Sequence, residues 1–231
     1  MACWRPELRK WMGTTVMTGM VLSVLAGCAS VNSGSGTVDV LVPPPPPPPG
    51  GAVLVDWRGV ISPFDRDRLD RRDAAWKVAL EQARRLGGSG NLEALGALVD
   101  PTASLPDPAM PSGHYRCRTV KLGSQAEYDG LGYVVYGWFR CRIEATDQGL
   151  LLTKLTGSQR VQGLLYPENA KQMVMLGAMA LSNENRAPAY GARPDRDTLA
   201  VLERIGPQRW RLVTPWPQNE SNLDVMELVP E

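Results

Sequence analysis

Histidine occurs once, at His114, and phenylalanine only twice in 231 residues. One histidine rules out a multi-histidine metal centre. It also leaves a Ser/His/Asp triad only His114 to use, and the chain has no Gly-x-Ser-x-Gly elbow to carry the serine. His114 reads instead as a histidine at a strand edge. Four cysteines are present without a Cys-x-x-Cys pair, which removes the common zinc and redox spacings. Charge of one sign is also missing, since 25 basic residues face 24 acidic ones. Such a balance provides no electrostatic basis for binding nucleic acid. The longest apolar run, Val16 to Gly27, falls short of the about 20 residues a membrane-spanning helix needs. No cofactor motif stands out: Gly130, Gly132 and Gly137 have the wrong spacing for a dinucleotide loop.

The beginning of the chain is more informative. Arg5, Arg9 and Lys10 precede that apolar run, which is the layout of a secretory signal. The run ends in Leu25-Ala26-Gly27-Cys28, which resembles the lipobox of bacterial lipoproteins. The resemblance implies a signal over 1–27, lipidation of Cys28 and a membrane anchor. Ala29 rather than Asp implies the outer membrane, with the domain facing the periplasm. Two or more acyl chains anchor firmly, at about 0.8 kcal/mol per buried methylene. The bland alternative is an ordinary signal peptide with a chance cysteine. It does not account for the basic stretch, the apolar run and the four-residue box occurring together. Removing residues 1–27, with their three basic residues and one acid, takes the net charge from +1 to −1.

Residues 28–55 read as a tether. Pro43 to Pro49 is an unbroken proline run, a stiff polyproline II spacer of about 22 Å. A docking ligand for a proline reader is the lesser alternative. Residues 56–231 then read as one domain, helical over 56–100 and antiparallel β over 113–231. Ser62-Pro63 with Asp65 has the chemistry of a helix start. Leu69, Trp76, Leu80 and Ala83 share one helical face, and Gly87-Gly88 ends it. The alternating charges from Asp65 to Asp73 read as a solvated face with local ion pairs. A short helix over 92–99 follows, and then a proline-rich loop to Gly113.

From Tyr115 the period becomes two. Strands are expected over 115–122, 133–145, 150–156, 160–166, 172–176, 198–205, 208–214 and 223–229, with a polar loop over 182–197. Consecutive order favours an antiparallel meander sheet or a small barrel. In an oxidising compartment Cys117 and Cys141 default to a disulfide. If they sit directly opposite each other, the hairpin centres on Asp129-Gly130, strong turn chemistry. Arg116 then faces Arg142 and Arg118 faces Arg140, all on the face opposite the cysteines. Like charges facing each other destabilise a sheet, so something negative should cover them. Glu144, Glu203 and Glu227 are the internal candidates, and an anionic ligand or polymer is the external one. Trp216, between Pro215 and Pro217, is either an exposed anchor for a partner protein or packing at the rim.

Several segments resemble an uncharacterised bacterial lipoprotein family, domain of unknown function 4893. They are Tyr115 to Arg118, Lys121 to Gly123, Trp138 to Ile143, Lys154 to Arg160, Glu203 to Gly206, Arg209 to Val213 and Leu223 to Pro230. The resemblance runs from about residue 56 to the end and implies no catalytic residues. The expected fold is α+β: an N-terminal helical segment packed on a disulfide-stapled meander sheet or calycin-like barrel. The expected function is non-catalytic, an envelope binding or interaction module whose partner is an envelope protein or an anionic ligand. A calycin-like carrier of a small ligand is the alternative, and an enzyme of unrecognised type comes third.

Overall fold

A computed structural model of the chain describes residues 56–126 and 131–231. The expected signal, Cys28, the proline tether and the Asp129-Gly130 turn all lie outside the described residues. Asp56 leads into a short 3-10 turn, Trp57–Gly59, and two helices follow, α1 (Pro63–Asp70) and α2 (Arg72–Leu86). Next come a two-residue strand β1 (Gly88–Ser89) and a 3-10 segment, Glu93–Val99. The rest is β: β2 (Gly113–Leu122), β3 (Tyr133–Val135), β4 (Phe139–Thr146), β5 (Gly149–Lys154), β6 (Gln159–Asn169), β7 (Gln172–Leu181), β8 (Asp197–Gly206), β9 (Arg209–Pro215) and β10 (Leu223–Pro230). The described residues are therefore mostly β, where an α+β fold was expected.

Strands β4 to β10 pair in consecutive antiparallel order. β2 then pairs with β10 on one edge and with β4 on the other, which closes an eight-stranded barrel. Closure removes the open strand edges that would otherwise invite aggregation. Alternation sorts the side chains. Tyr115, Cys117, Cys141, Ile143, Leu152, Leu165, Met175, Leu202, Trp210, Leu212 and Leu228 belong to one buried cluster, which fills the interior. Residues of opposite parity face outward. Among these, Val120, Leu122, Val213, Leu223 and Val225 share a second buried cluster with Trp76, Ala79, Leu80 and Ala83 of α2. Val174, Leu176 and Leu199 share a third with Trp57 and Ile61.

One barrel end has tight turns at 147–148, 170–171 and 207–208. A strap over 104–110 lies across it. Its backbone bonds join Leu105 to Arg204 and Asp107 to Ala170, and Met110 drops into the interior cluster. The other end carries the long connections, including 182–196 and 216–222.

Four details differ from the sequence reading. The expected long helix breaks at Arg71, whose backbone leaves helical geometry at φ −92°, ψ 16°. Asp65 and Arg68 are not on a solvated face: both are buried and paired, and Tyr190 Oη donates to Asp65 Oδ2 at 2.5 Å. The strand expected over 133–145 is interrupted at 136–138. Finally, the register is offset by two residues. Tyr115 faces Cys141 and Cys117 faces Phe139, so the bonded cysteines are diagonal neighbours with Cα atoms 5.9 Å apart. Twisted strands bring one diagonal pair within disulfide reach, so direct opposition is unnecessary. An offset of two preserves every face but changes the partners: Arg116 faces Arg140 rather than Arg142, and Arg118 lies beyond the paired stretch. Gly132 fixes the far side of this connection. A Cβ there would stand 2.9 Å from Gly87 O, so only glycine lets the loop pass the end of α2.

Candidate functional site

Two places concentrate charge that the core does not need. The first is the outer wall where β2 meets β4, the seam at which the barrel closes. Arg116 and Arg118 project there because Cys117 between them points inward, and Arg140 and Arg142 do so on either side of Cys141. The strand break at 136–138 adds Trp138, 42% exposed, with Tyr136 nearby at 40%. The guanidinium of Arg116 lies 5.0 Å from the centre of the Trp138 ring and that of Arg118 lies 4.7 Å from it. Two cations on one indole hold the ring in place from solvent-facing positions.

Three of the four arginines meet a carboxylate. Arg118 Nε donates to Glu227 Oε2 at 2.6 Å, and Arg209 Nε donates to the other oxygen of Glu227 at 2.5 Å. Arg142 pairs with Glu144 at 2.8 Å and Arg140 with Glu231 at 3.5 Å. Arg116 has no carboxylate within salt-bridge distance among the described residues. Glu144 and Glu227 cover this face as expected, whereas Glu203 does not: it pairs with Arg211 beneath the 93–99 segment. His114 is exposed on the same wall, facing Arg142.

Trp216 is partly buried and packed within the domain. Its Nε1 donates to Arg71 O at 3.1 Å, the Arg71 guanidinium lies 5.1 Å from its ring, and its own carbonyl accepts from Arg68 Nη1 at 3.1 Å. It therefore fastens the helical segment to the β9–β10 connection, the packing alternative for this residue. Trp138, by contrast, is exposed on the seam wall and is the tryptophan the sequence reading missed. The signal for it was the Tyr136-Gly137-Trp138 interruption within a β pattern.

The family described as "Domain of unknown function (DUF4893)" matches residues 57–228. The chain belongs to this family. The match covers the barrel and helices and begins at residue 57, so it bears on the domain and not on residues 1–56. No curated protein matches the chain.

The second place in this DUF4893 domain is the barrel end with the long connections. Lys121, Lys154 and Asp224 share the parity of interior residues and come together there. Lys121 Nζ donates to Gln159 Oε1 at 3.3 Å and contacts the Glu220 carboxylate. Lys154 Nζ donates to Gln159 O at 2.9 Å and lies 4.1 Å from the Phe139 ring centre. Ser221 Oγ donates to Asp224 Oδ1 at 2.5 Å. Burial, with Lys121 as a like-charged neighbour, lowers the Lys154 ammonium to about 8. Burial raises Asp224 to about 6, against the pull of Lys121. Burial also acts to lower Lys121, but Asp224 and Glu220 together outweigh it and raise its pKa. Parity counted from Cys117 and Leu152 already placed both lysines on the inner face, a signal the sequence reading passed over. Among the described residues no three His, Cys, Asp or Glu side chains gather at metal-ligating spacing.

Lys154 is 7% exposed and makes no ion pair among the described residues, so its charge costs stability. Lys154→Met should therefore stabilise the DUF4893 domain at pH 7, by about 1–3 kcal/mol. The folded-state pKa is depressed, so the cost is absent above the unfolded value of 10.5, grows as pH falls from there, and is complete below about 8. Urea unfolding at pH 7 and pH 10.5 checks this: the gain should be present at the first and nearly gone at the second. A destabilised variant at pH 7 would show that the ammonium is well paired.

Proposed function

We propose that the protein is a non-catalytic binding module of the cell envelope. In this reading Cys28 tethers it to the outer membrane, facing the periplasm, and the seam wall is its binding surface. The observation that carries the reading is Trp138, exposed and stacked by Arg116 and Arg118, with Arg116 lacking a carboxylate among the described residues. Arginine pairs with carboxylates through two parallel hydrogen bonds, and an exposed indole adds apolar contact area. The partner chemistry is an anionic polymer or an acidic protein surface. A calycin-like carrier is the second reading, favoured by closure of the eight-stranded barrel.

Titrating labelled poly-glutamate with the full chain and following anisotropy tests the surface. Arg116→Ser should weaken binding about tenfold, as loss of a charge-assisted contact does. Salt should weaken the wild type in the same direction. Equal affinity of wild type and variant would reject the seam. The tether is tested separately. Cys28→Ser should abolish palmitate incorporation and move the protein out of the outer-membrane fraction in a sucrose gradient. Unchanged fractionation would remove the anchor from the proposal.

A further inference from the structure

We propose that the barrel end formed by Lys121, Lys154 and Gln159 is a seat for the carboxylate of a small organic acid. This site is distinct from the seam wall and does not depend on it. Three observations converge. First, Lys154 is a buried ammonium with three donor hydrogens, and Gln159 O is its one oxygen partner among the described residues. A buried charge left so sparsely matched calls for an acceptor.

Second, Lys121 reaches from β2 to Gln159 on β6, so both ammonium groups meet at the same residue. They repel each other there, and a shared anion relieves that repulsion.

Third, the position over Lys121 is already taken by a carboxylate belonging to the chain. Glu220 reaches it from the 216–222 connection, its side chain 54% exposed, its backbone at φ +75°. A non-glycine residue at positive φ is held in a costly conformation by its surroundings. A solvent-exposed carboxylate on a strained loop is a displaceable stand-in for an external one. The chemical class follows from that stand-in. Asp224 already offsets part of the positive charge, so a monoanion fits, and the neighbouring Phe139 ring offers contact to an apolar substituent.

Calorimetric titration of the full chain with hexanoate tests the seat, with hexanol and inorganic phosphate as companions. Hexanoate should bind and hexanol should not. Lys154→Met should weaken hexanoate about tenfold or more, the usual effect of losing a hydrogen bond to a charged group. That variant is expected to be at least as stable as wild type, so the loss cannot be ascribed to unfolding. Glu220→Gln should strengthen binding severalfold by removing the internal competitor. Trp138→Ala should leave hexanoate affinity unchanged, which separates this seat from the seam. The proposal is overturned if hexanol binds as well as hexanoate, or if Lys154→Met or Glu220→Gln changes nothing. Phosphate binding as tightly, with the same dependence on Lys154, would overturn the carboxylate class.

Discussion

Arg211→Met should destabilise the domain by about 3–5 kcal/mol, the largest single-residue loss expected in this chain. Arg211 faces outward from β9, because Trp210 and Leu212 point into the barrel, yet it is fully buried. The 93–101 stretch lies over it. Its Nε donates to Glu203 Oε2 at 2.7 Å, and Nη1 donates to the carbonyls of Ala97 at 3.0 Å, Leu98 at 3.3 Å and Asp100 at 2.6 Å. The guanidinium also lies 5.0 Å from the Trp76 ring centre. One side chain thus neutralises a buried acid, satisfies carbonyls at the end of the 93–99 segment and stacks on α2. Methionine fills a similar volume but leaves Glu203 charged and those carbonyls without donors. Removing the acid as well, in Arg211→Met/Glu203→Leu, should recover the ionic part of the loss but not the carbonyl part. Hydrogen exchange over residues 93–101 should stay fast in both variants. Full recovery of stability and protection in the double variant would show that the carbonyl bonds contribute little.

The second large effect belongs to the disulfide. Cys117 and Cys141 are separated by 24 positions and are both fully buried in the interior cluster. The loop-entropy model assigns such a cross-link about 3 kcal/mol. Replacing both cysteines by alanine should therefore lower the melting temperature by about 6–12 °C for a domain of this size. Since each sulfur is out of contact with solvent, reductant should act slowly on the native protein and quickly once denaturant is present. Two thiols that alkylate readily in the folded, unreduced chain would contradict both the bond and its burial.

Much of this fold was legible because a strand face has a period of two. That period placed Cys117, Cys141, Phe139 and Ile143 inside and the four arginines outside. The Ser62 cap, whose Oγ accepts from Asp65 N at 3.1 Å, and the Gly87 stop were equally local signals. What remained hidden was non-local. Parity is blind to an offset of two, so Arg116 was matched with Arg142 instead of Arg140. Closure depends on β2 finding β10, more than a hundred residues away, and no local pattern encodes that partner. Arg68 and Arg211 carry the ordinary marks of exposed charge. Each is buried only because a distant segment covers it: Trp216 and its neighbours in one case, residues 97–101 in the other. The seam was half legible. Its arginines followed from the cysteine positions, but Trp138 lay hidden inside what read as one continuous strand.

The most direct test of the seam as the binding surface is an amide and indole correlation spectrum of the 15N-labelled full chain, recorded with and without poly-glutamate. Each of the seven tryptophans contributes one indole N–H signal, and Trp138→Phe identifies its own by deletion. Binding at the seam predicts that the Trp138 signal and the Arg116, Arg118 and Arg140 amides shift with polymer, while the buried Trp57, Trp76 and Trp210 indoles stay in place. A Trp138 signal that does not move under saturating polymer would contradict it.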